Sequence, residues 1–378
     1  MAVIVSNGIA DKAIISKVDA IHVAVPYSYD RPASSNRSAI WPTIDTVLVR
    51  IETDTGLVGW GEAFGFMACA TTKRAIDTLI APLCVGRDAT DIAGLMDELF
   101  RKLHLYGRSG PVLYGLSGID TALWDIAGKI AGKPLHRLLS DAPAPVTELP
   151  AYASLLRYGD VETVARSSRR ALAQGFSAIK LHEIGAAEVA ACRAAIGPDA
   201  ALMIDMNCPW SCEEALAMAK AFAPSNPAWM EEPIWPPDDF TAMAAFTAGT
   251  PIKLAAGENA GSLEEFERLI DVGRVAIIQP SVNKVGGISQ MMRIINLAQA
   301  RGVAVAPHSP YFGPGLAATV HLIAARLPDS MVEWYFCELA ARPFGGAINA
   351  SNGRVRVPQA PGLGVGPDEA AIERFRVA

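Results

Sequence analysis

Hydrophobic and polar residues alternate near the start of the chain, and a helical period then takes over. The alternation runs through residues 17–64, where residues 53–56 (Thr-Asp-Thr-Gly) supply a turn, and it predicts an antiparallel sheet. Helical patterns follow at about residues 71–83, 91–105 and 111–131, and the last of them ends at a glycine. The first 140 or so residues are therefore predicted to form an α+β domain.

The middle of the chain repeats an apolar, strand-like run followed by a helix-forming, alanine-rich segment. Polar residues near the ends of these runs fall at positions 154, 180, 205, 231, 258, 283, 308 and 333. Successive positions differ by 25 to 27 residues, so the unit is one strand plus one helix, repeated seven times, with an eighth strand at the end. Eight parallel strands at this spacing predict a closed barrel, with catalytic groups at the C-terminal ends of the strands. An open doubly wound sheet is the rival, but it would concentrate polar groups near one switch point.

Glycine and proline residues interrupt this pattern after Glu333 and argue against a long eighth helix. We expect the last segment of the chain to return to the first domain. The predicted fold class is therefore α/β, with an α+β domain at residues 1–140, a barrel at residues 141–335 and a returning C-terminal segment at residues 336–378.

Composition narrows the choice of partner. The 378-residue chain has a formal net charge of -6 from mixed signs and no basic run, which argues against nucleic acid and favours a small molecule. No continuous apolar stretch is long enough for a membrane span. The first residues lack the basic and then apolar pattern of a signal peptide, so a cytoplasmic location is expected.

Acidic residues end three consecutive strands of the predicted barrel, namely Asp205, Glu231 and Glu258. Because strand ends meet at one face of a barrel, the three carboxylates could converge on one cation. Three oxygen ligands without thiolate or clustered imidazole suit a hard ion, with Mg²⁺ favoured; three unrelated acids are the alternative. Glu232 competes with Glu231 for the ligand role, and we favour Glu231 because alternation then turns Met230 outward with Glu232.

Four residues near the same strand ends are the predicted catalytic groups. Lys180 and His182 lie two residues apart on the second strand, so both side chains point into the barrel. His308 ends the seventh strand, across the barrel from them. Glu333, on the eighth strand, could donate a hydrogen bond if protonated, or could belong to a structural ion pair.

Two regions are candidates for substrate binding. Residues 26–42 carry Tyr27 and Arg31 among other polar and aromatic residues without periodicity, as either a binding loop or a solvated loop would. On the third strand, the alternation places Asn207 on the same face as Asp205.

Short motifs occur along nearly the whole chain. They are residues 56–62 (GLVGWGE), 117–125 (SGIDTALWD), 180–182 (KLH), 204–207 (IDMN), 230–233 (MEEP), 256–259 (AGEN), 279–280 (QP) with 286–287 (GG), and 307–308 (PH). Each motif is weak alone, but their order and spacing are specific. In these motifs the chain resembles the mandelate racemase-like branch of the enolase superfamily.

The resemblance implies a capping domain joined to a (β/α)7β barrel, which is a modified TIM barrel, with the cap completed by the C-terminal segment. It implies one Mg²⁺ per subunit on Asp205, Glu231 and Glu258. A homo-oligomer that acts on a small-molecule carboxylate is expected.

The same resemblance implies a role for each of the four predicted catalytic residues. Lys180 would contact the substrate carboxylate, and His182 would be a base on one face of the substrate. His308 would be an acid or base on the other face, and Glu333 would donate a hydrogen bond to the carboxylate. A cation and cationic groups stabilise the charge of an enediolate while a placed base takes the α-proton.

Two positions depart from the pattern that is common in such enzymes. His182 stands where a lysine is common, and its unperturbed pKa near 6.5 would leave it largely neutral at neutral pH. Ser281 stands where the sixth strand commonly offers an aspartate to the histidine. A serine can orient His308 but cannot stabilise its imidazolium as a carboxylate would. Lys284 lies nearby in the sequence, either as a contributor or as a loop residue.

Loss of the α-proton leaves an intermediate that can be reprotonated or can expel a β-hydroxyl. The resemblance favours the second outcome, which is dehydration of an acid sugar (an aldonate or aldarate) to a 2-keto-3-deoxy acid, with His308 protonating the leaving hydroxyl. Racemisation or epimerisation of a hydroxy acid and cycloisomerisation of a sugar-acid lactone are alternatives. A catalytically weakened protein that only binds acid sugars is another, and it would not exchange the α-hydrogen with solvent.

Overall fold

The computed structural model describes residues 12–30, 41–140 and 146–378. Arg31, one of the predicted substrate-binding residues, lies outside the described residues. Within the described part of the chain, no helix is both long and apolar enough to cross a membrane.

The described elements alternate between strands and helices along most of the chain. The strands are β1 (Ile15–Ser28), β2 (Thr43–Thr53), β3 (Val58–Ala63), β4 (Glu148–Ser154), β5 (Ala178–Leu181), β6 (Ala201–Asp205), β7 (Trp229–Glu231), β8 (Leu254–Ala256), β9 (Ile277–Ile278), β10 (Ala304–Val305), β11 (Val332–Tyr335), β12 (Glu338–Leu339), β13 (Ala350–Ser351) and β14 (Arg354–Arg356). The α-helices are α1 (Cys69–Ala75), α2 (Ala81–Cys84), α3 (Ile92–Leu103), α4 (Pro111–Ile130), α5 (Leu135–Leu138), α6 (Val161–Ala173), α7 (Ala186–Ile196), α8 (Cys212–Phe222), α9 (Phe240–Gly249), α10 (Leu263–Asp271), α11 (Gly287–Arg301), α12 (Pro314–Arg326) and α13 (Glu369–Phe375).

The N-terminal part of the chain forms an antiparallel sheet in the order β12-β1-β2-β3. Side chains alternate across it, so one face packs against helices α1 to α4 around Val47, Val49 and Leu116. The hairpin between β2 and β3 turns at Gly56, whose φ of 80° favours glycine. The predicted α+β architecture of this region is present, and β12 adds a strand from the C-terminal segment.

The middle of the chain forms a parallel sheet in which β4 to β10 are neighbours in sequence order and β11 pairs with β4. Helices between the strands cover its outer side, where Ile179, Ile204 and Leu254 are buried in the main hydrophobic core. Between β10 and β11, Ser309 donates its N–H to Glu333 Oε2 at 2.8 Å. This arrangement is the (β/α)7β barrel with a cap that the sequence predicts, and it gathers the C-terminal ends of the strands at one face.

Polar side chains of the cap attach it to the barrel. Glu62 Oε2 accepts a hydrogen bond from Gly315 N at the start of α12, at 2.9 Å. Asp120 Oδ1, on α4, accepts one from Ser289 N of α11, also at 2.9 Å. Both carboxylates are buried, and both belong to motifs that carry the resemblance. These motifs therefore fix the cap over the C-terminal face of the barrel.

Candidate active site

Three carboxylates meet at the C-terminal ends of neighbouring barrel strands. Asp205 ends β6, Glu231 ends β7, and Glu258 follows β8 by two residues. Parallel pairing puts Asp205 beside Glu231, and oxygen atoms of the three side chains lie within 4.8 Å of one another. The sequence predicted this convergence, and the cluster could hold a metal ion.

Lys180 lies against the base of this carboxylate cluster. It is 0% exposed, and its Nζ lies 3.1 Å from Glu231 Oε1 and 3.5 Å from Asp205 Oδ2. A third carboxylate, Glu333 Oε1, is 2.8 Å away. Burial acts to lower the pKa of Lys180, but the surrounding carboxylates hold it well above its ordinary value. The side chain is therefore a permanent cation at the bottom of the site.

The three carboxylates of the cluster carry more negative charge than the cationic side chains around them neutralise. Burial and the charge of Asp205 raise the pKa of Glu231 well above its ordinary value. Burial acts to raise the pKa of Glu258 as well, but His308 and Lys284 hold it below its ordinary value. Like charges brought together in a buried site need a compensating cation, and an all-oxygen donor set suits a hard divalent ion. The residues present therefore fit a Mg²⁺ site.

Glu232, the rival for the ligand role, lies outside the cluster. Its Oε2 accepts a hydrogen bond from Asn259 Nδ2 at 2.7 Å and contacts Cys208 Sγ at 3.4 Å. Burial and the charge of Glu258 raise the pKa of Glu232 to about 8. These contacts turn the Glu232 carboxyl away from the other three acids and suit a supporting position better than that of a metal ligand.

His182 reaches the cluster from the second barrel strand. Its Nδ1 donates to the backbone oxygen of Leu155 at 2.5 Å, and its Nε2 lies 3.2 Å from Asp205 Oδ2. Because Nδ1 is used by the backbone, Nε2 is the nitrogen that faces the site. The predicted pairing of Lys180 and His182 on one inward face is therefore present.

His308 reaches the cluster from the far side, beyond β10. Its Nε2 lies 2.9 Å from Glu258 Oε2. Its Nδ1 is buried and has no hydrogen-bond partner among the described residues. Ser281, which could have oriented His308, instead forms a short hydrogen bond with the Tyr311 hydroxyl. Sequence reasoning missed Tyr311, which lies in a loop three residues after His308.

Glu333 is an acceptor in this arrangement. In addition to Lys180, it contacts Ser154 Oγ at 2.9 Å and Ser309 N at 2.8 Å. Burial acts to raise the pKa of Glu333, but Lys180 and His308 lower it to about 2. The contacts thus favour the ion-pair interpretation of Glu333, whereas the donor role implied by the resemblance requires a proton.

Asn207 contacts the cluster by a different route from the one expected. The strand ends at Asp205, and Asn207 has a left-handed backbone with φ of 56°, so strand alternation does not place it. Its Nδ2 nevertheless donates to Asp205 Oδ1 at 2.9 Å. Arg157, which the sequence did not single out, donates to Asn207 Oδ1 at 3.2 Å.

A cavity of about 650 Å³ opens above these groups. Its other walls are largely aromatic, with Tyr27 and Tyr29 on one side and Phe64 on another. The Tyr27 and Tyr29 rings are stacked with centroids 5.8 Å apart. Tyr27 was expected in a loop, but it lies near the end of β1, where it pairs with Leu339 of β12. From that position it lines the cavity.

Lys284 also lines the cavity, although it sits in a turn of the backbone after β9. It is 6% exposed, and its Nζ lies 4.8 Å from the centre of the Phe64 ring and 3.5 Å from Asn259 Oδ1. Among the described residues, no carboxylate lies within ion-pair distance of Lys284. Of the two interpretations of Lys284, the structure favours a contributor to the site.

The fold is an α+β cap over a parallel barrel, and a carboxylate cluster, a lysine and two histidines lie at the strand ends. Together these features define the class of enolase-superfamily enzymes. Residues 18–140 match the family model described as mandelate racemase / muconate lactonizing enzyme, N-terminal domain. Residues 163–371 match the one described as enolase C-terminal domain-like. The chain belongs to the mandelate racemase / muconate lactonizing enzyme family, and it is an enzyme of the dehydratase or isomerase type.

Named relatives are similar over most of their length. The chain is 33% identical to D-galactarolactone cycloisomerase of Agrobacterium fabrum over 352 residues, which cover 88% of this chain and 91% of the relative. It is 30% identical to arabinonate dehydratase of Saccharolobus solfataricus over 342 residues, with the same coverage of 88% and 91%. The crystal structure of 3,6-anhydro-D-galactonate cycloisomerase from Zobellia galactanivorans superposes with a TM-score of 0.84 at 31% identity, and covers 97% of this chain and 100% of that one.

Proposed function

We propose that this enzyme removes the α-proton of an acid sugar and then expels the β-hydroxyl, which gives a 2-keto-3-deoxy acid. The observation that carries the proposal is the placement of two histidines, which follow β5 and β10, on either side of the carboxylate cluster. One side chain can take a proton while the other delivers one. Relatives named as acid-sugar dehydratases support the choice of substrate class.

Asp205, Glu231 and Glu258 would hold one Mg²⁺ per subunit. When bound, the ion supplies positive charge that stabilises the anionic carboxylate of the substrate as negative charge develops on it. Lys180 would bind an oxygen of the same carboxylate, because it is a fixed cation directly beneath the cluster. Glu333 would keep this ammonium in position, and would act as a donor only if it gains a proton.

The proton chemistry assigns one atom to each histidine. His182 Nε2 takes the α-proton, because Nδ1 donates to Leu155 O and leaves Nε2 facing the site. The C–H electron pair then forms the double bond of an enediolate. Collapse of this intermediate breaks the bond from the β-carbon to its hydroxyl, which leaves as water with a proton from His308 Nε2. The resulting enol gives the 2-keto acid.

Tyr27, Asn207 and Arg31 are the proposed contacts for the sugar hydroxyls. Tyr27 and Asn207 line the cavity, and Arg31 stays a prediction from the sequence. The predicted domain boundaries, a cytoplasmic location and a homo-oligomeric state also stay predictions.

Cycloisomerisation of a sugar-acid lactone is the second candidate. Two of the named relatives are cycloisomerases, and the stacked tyrosines offer flat apolar surfaces that suit the C–H face of a ring. In this reaction the ring oxygen leaves the β-carbon as a carboxylate in place of the hydroxyl, so His182 would again take the α-proton, whereas the departing oxygen would need no proton from His308.

The test is incubation of the protein with Mg²⁺ and a library of aldonic acids, aldaric acids and their lactones in D₂O, followed by NMR. We expect α-deuteration together with a 2-keto-3-deoxy product from at least one acid. A product formed only from lactones would favour cycloisomerisation. Absence of exchange with every member of the library would contradict both candidates and favour a binding protein.

Metal dependence is tested by chelation and by one variant. Treatment with EDTA should abolish turnover, and Mg²⁺ should restore it. Asp205→Asn removes the charge of one proposed ligand and should lower kcat/KM by more than about 100-fold. Replacing a residue that only hydrogen-bonds to a metal ligand already lowers metal affinity or activity by about 10- to 100-fold. Asp97→Asn on the exposed face of α3 is the matched control. Turnover that persists in EDTA would remove the metal assignment.

A further inference from the structure

A second group of metal-ligating side chains lies in the cap, separate from the carboxylate cluster. His22, Asp45 and Cys69 each offer one ligand atom, and these atoms lie within 4.8 Å of one another. The three residues come from β1, β2 and the first position of α1. They therefore form a candidate site only after the cap has folded.

The sheet register brings the first two ligands together. Ala24 pairs with Asp45, and His22 is two residues earlier on the same face of β1, so the His22 and Asp45 side chains are diagonal neighbours. His22 Nε2 lies 2.7 Å from Asp45 Oδ2. Helix α1 packs on both strands and places the Cys69 thiol beside this pair.

The surroundings favour a cation. The neighbouring charges that act on Cys69 come from Asp45 and Glu62, and both are acidic. Thr43 Oγ1 donates to Asp45 Oδ1 at 2.5 Å, which orients the carboxylate so that Oδ2 faces His22 Nε2, and a bound ion would replace the direct contact between these two ligand atoms. Supporting hydrogen bonds of this kind accompany metal ligands.

The group of His22, Asp45 and Cys69 is also reachable from solvent. The side chains of His22 and Asp45 are 12% and 22% exposed, whereas Cys69 is buried at 1%. An ion could therefore arrive from the outside and be held against the buried sulfur.

We propose that His22, Asp45 and Cys69 form a structural site for a borderline-soft divalent ion, with Zn²⁺ as the best fit. One nitrogen, one oxygen and one sulfur match the donors of tetrahedral zinc sites, and water would complete the shell. Binding transfers the thiol proton of Cys69 to solvent, so that a thiolate and a carboxylate neutralise the charge of the ion. The ligand atoms of such a site lie roughly 3 to 4 Å apart, which small side-chain rotations reach from the observed arrangement.

The bound ion would cross-link two strands of the cap to α1. Phe66, which lines the substrate cavity, precedes Cys69 by three residues. The site would thereby hold the aromatic wall of the cavity in place. The site consists of cap residues alone and is independent of the proposed reaction.

Cobalt gives a direct test, because a thiolate ligand produces a near-ultraviolet charge-transfer band with Co²⁺. The full-length protein is stripped with a chelator, saturated with Mg²⁺ to fill the carboxylate cluster, and titrated with Co²⁺. We expect the band to saturate at one ion per chain, to disappear on addition of Zn²⁺, and the melting temperature to rise with Zn²⁺.

Matched variants identify the ligands. Cys69→Ser and His22→Gln should each weaken metal binding by more than about 100-fold. Loss of a residue that only supports a metal ligand already lowers affinity by about 10- to 100-fold, and loss of a direct ligand costs more. Cys84→Ser removes another buried thiol of the same domain and should leave the band intact, as should Asp205→Asn in the carboxylate cluster. A wild-type protein without the band, or a band that survives in Cys69→Ser, would overturn the proposal.

Discussion

At the scale of single residues, the active site is organised by cations that lie among buried carboxylates. Lys180 contacts three of them, so its ammonium is already neutralised before any substrate binds. An ion on the carboxylate cluster would take over part of that role. Lys180 would then be available to the substrate. Because its ammonium is already buried, contact with the substrate would carry no further desolvation cost for this group.

Lys284 differs from Lys180 because its charge faces the cavity without a carboxylate at ion-pair distance among the described residues. Replacement by methionine keeps the apolar stem against Phe64 and removes the charge. Since a hydrogen bond to a charged group is worth about 1.5 to 3 kcal/mol, we expect Lys284→Met to lower kcat/KM on the best acid sugar by about 10- to 100-fold, with little change in melting temperature.

Lys102→Met, on the exposed face of α3, is the control for loss of a lysine. Lys284→Arg keeps the positive charge, so we expect it to retain part of the activity that Lys284→Met loses. An unchanged kcat/KM in Lys284→Met would mean that this lysine only supports the aromatic wall.

The sequence predicted the carboxylate cluster because acids at the ends of consecutive barrel strands must meet. It could not predict the role of Lys284, because the turn after β9 has no period from which a side-chain direction follows. The Ser281–Tyr311 hydrogen bond was missed for a similar reason: it joins a residue beyond the end of β9 to a loop residue 30 positions later. Contacts within loops depend on tertiary packing and leave little trace in local patterns.

At the scale of elements, the barrel strands are shorter than the apolar runs that predicted them. In the sequence, residues 252–258 (IKLAAGE) form one strand-like apolar run, but β8 is only Leu254–Ala256. Ile252 is still buried, at 8% exposed, because an apolar residue beside a barrel strand can pack under a helix without joining the ladder. Hydrophobicity therefore predicted burial and element order correctly, and overestimated strand length.

A buried histidine pair connects α5, α12 and the C-terminal segment. His321 Nε2 donates to Leu363 O at 3.0 Å, and its Nδ1 lies 3.2 Å from His136 N. The two rings are stacked with centroids 5.3 Å apart. Both contacts of His321 need a neutral ring, and burial lowers the pKa of His321 to about 3.

This pair predicts a loss of stability in mild acid. The unfolded chain binds a proton at His321 below a pKa of about 6.5, while the folded chain does not until about pH 3. Stability is therefore complete above pH 6.5 and falls by about 1.4 kcal/mol per pH unit below it. Between pH 7.5 and 5.0, the free energy of unfolding should fall by about 2 kcal/mol more in the wild type than in His321→Gln.

Urea unfolding at the two pH values measures this difference. His136 is present in both proteins, so its own titration cancels to first order. His104→Gln, in an exposed turn, should retain the wild-type dependence on pH. Equal slopes for the wild type and His321→Gln would contradict the prediction.

At the scale of the whole molecule, α4 is the element that holds the cap, the barrel and the C-terminal segment together. Its residue Asp120 contacts the barrel helix α11. Its residue Asp125, 1% exposed, accepts hydrogen bonds from Trp60 N of β3 and from Leu363 N of the C-terminal segment, at 2.9 and 2.8 Å. The motif at residues 117–125, which is weak as a sequence signal, is therefore a structural joint rather than part of the chemistry.

The return of the C-terminal segment to the cap was predicted from its glycines and prolines, and β12 on β1 agrees with it. What the sequence could not indicate is that the same segment also adds β14 to the barrel strand β4. Short strands rich in turn residues carry little periodicity, so their partners are decided by the surfaces that the larger units leave open.

Asp125→Ala tests this joint. The substitution leaves two buried N–H groups without an acceptor and removes the partner of Lys129, whose Nζ is 2.7 Å from Asp125 Oδ2. We expect the free energy of unfolding to fall by about 3 to 5 kcal/mol, and the Leu363 amide to exchange with solvent much faster than in the wild type.

Asp97→Ala, whose side chain is 64% exposed on α3, should change stability by less than about 0.5 kcal/mol. Asp125→Asn keeps one acceptor oxygen, so its loss in free energy of unfolding should lie between those of Asp97→Ala and Asp125→Ala. A Cβ at Gly362 would lie 2.2 Å from Asp125 Oδ1, so the C-terminal segment approaches this carboxylate more closely than any residue with a side chain would allow. Unchanged exchange of the Leu363 amide in Asp125→Ala would show that the C-terminal segment is held by its strands alone, and that α4 joins only the cap and the barrel.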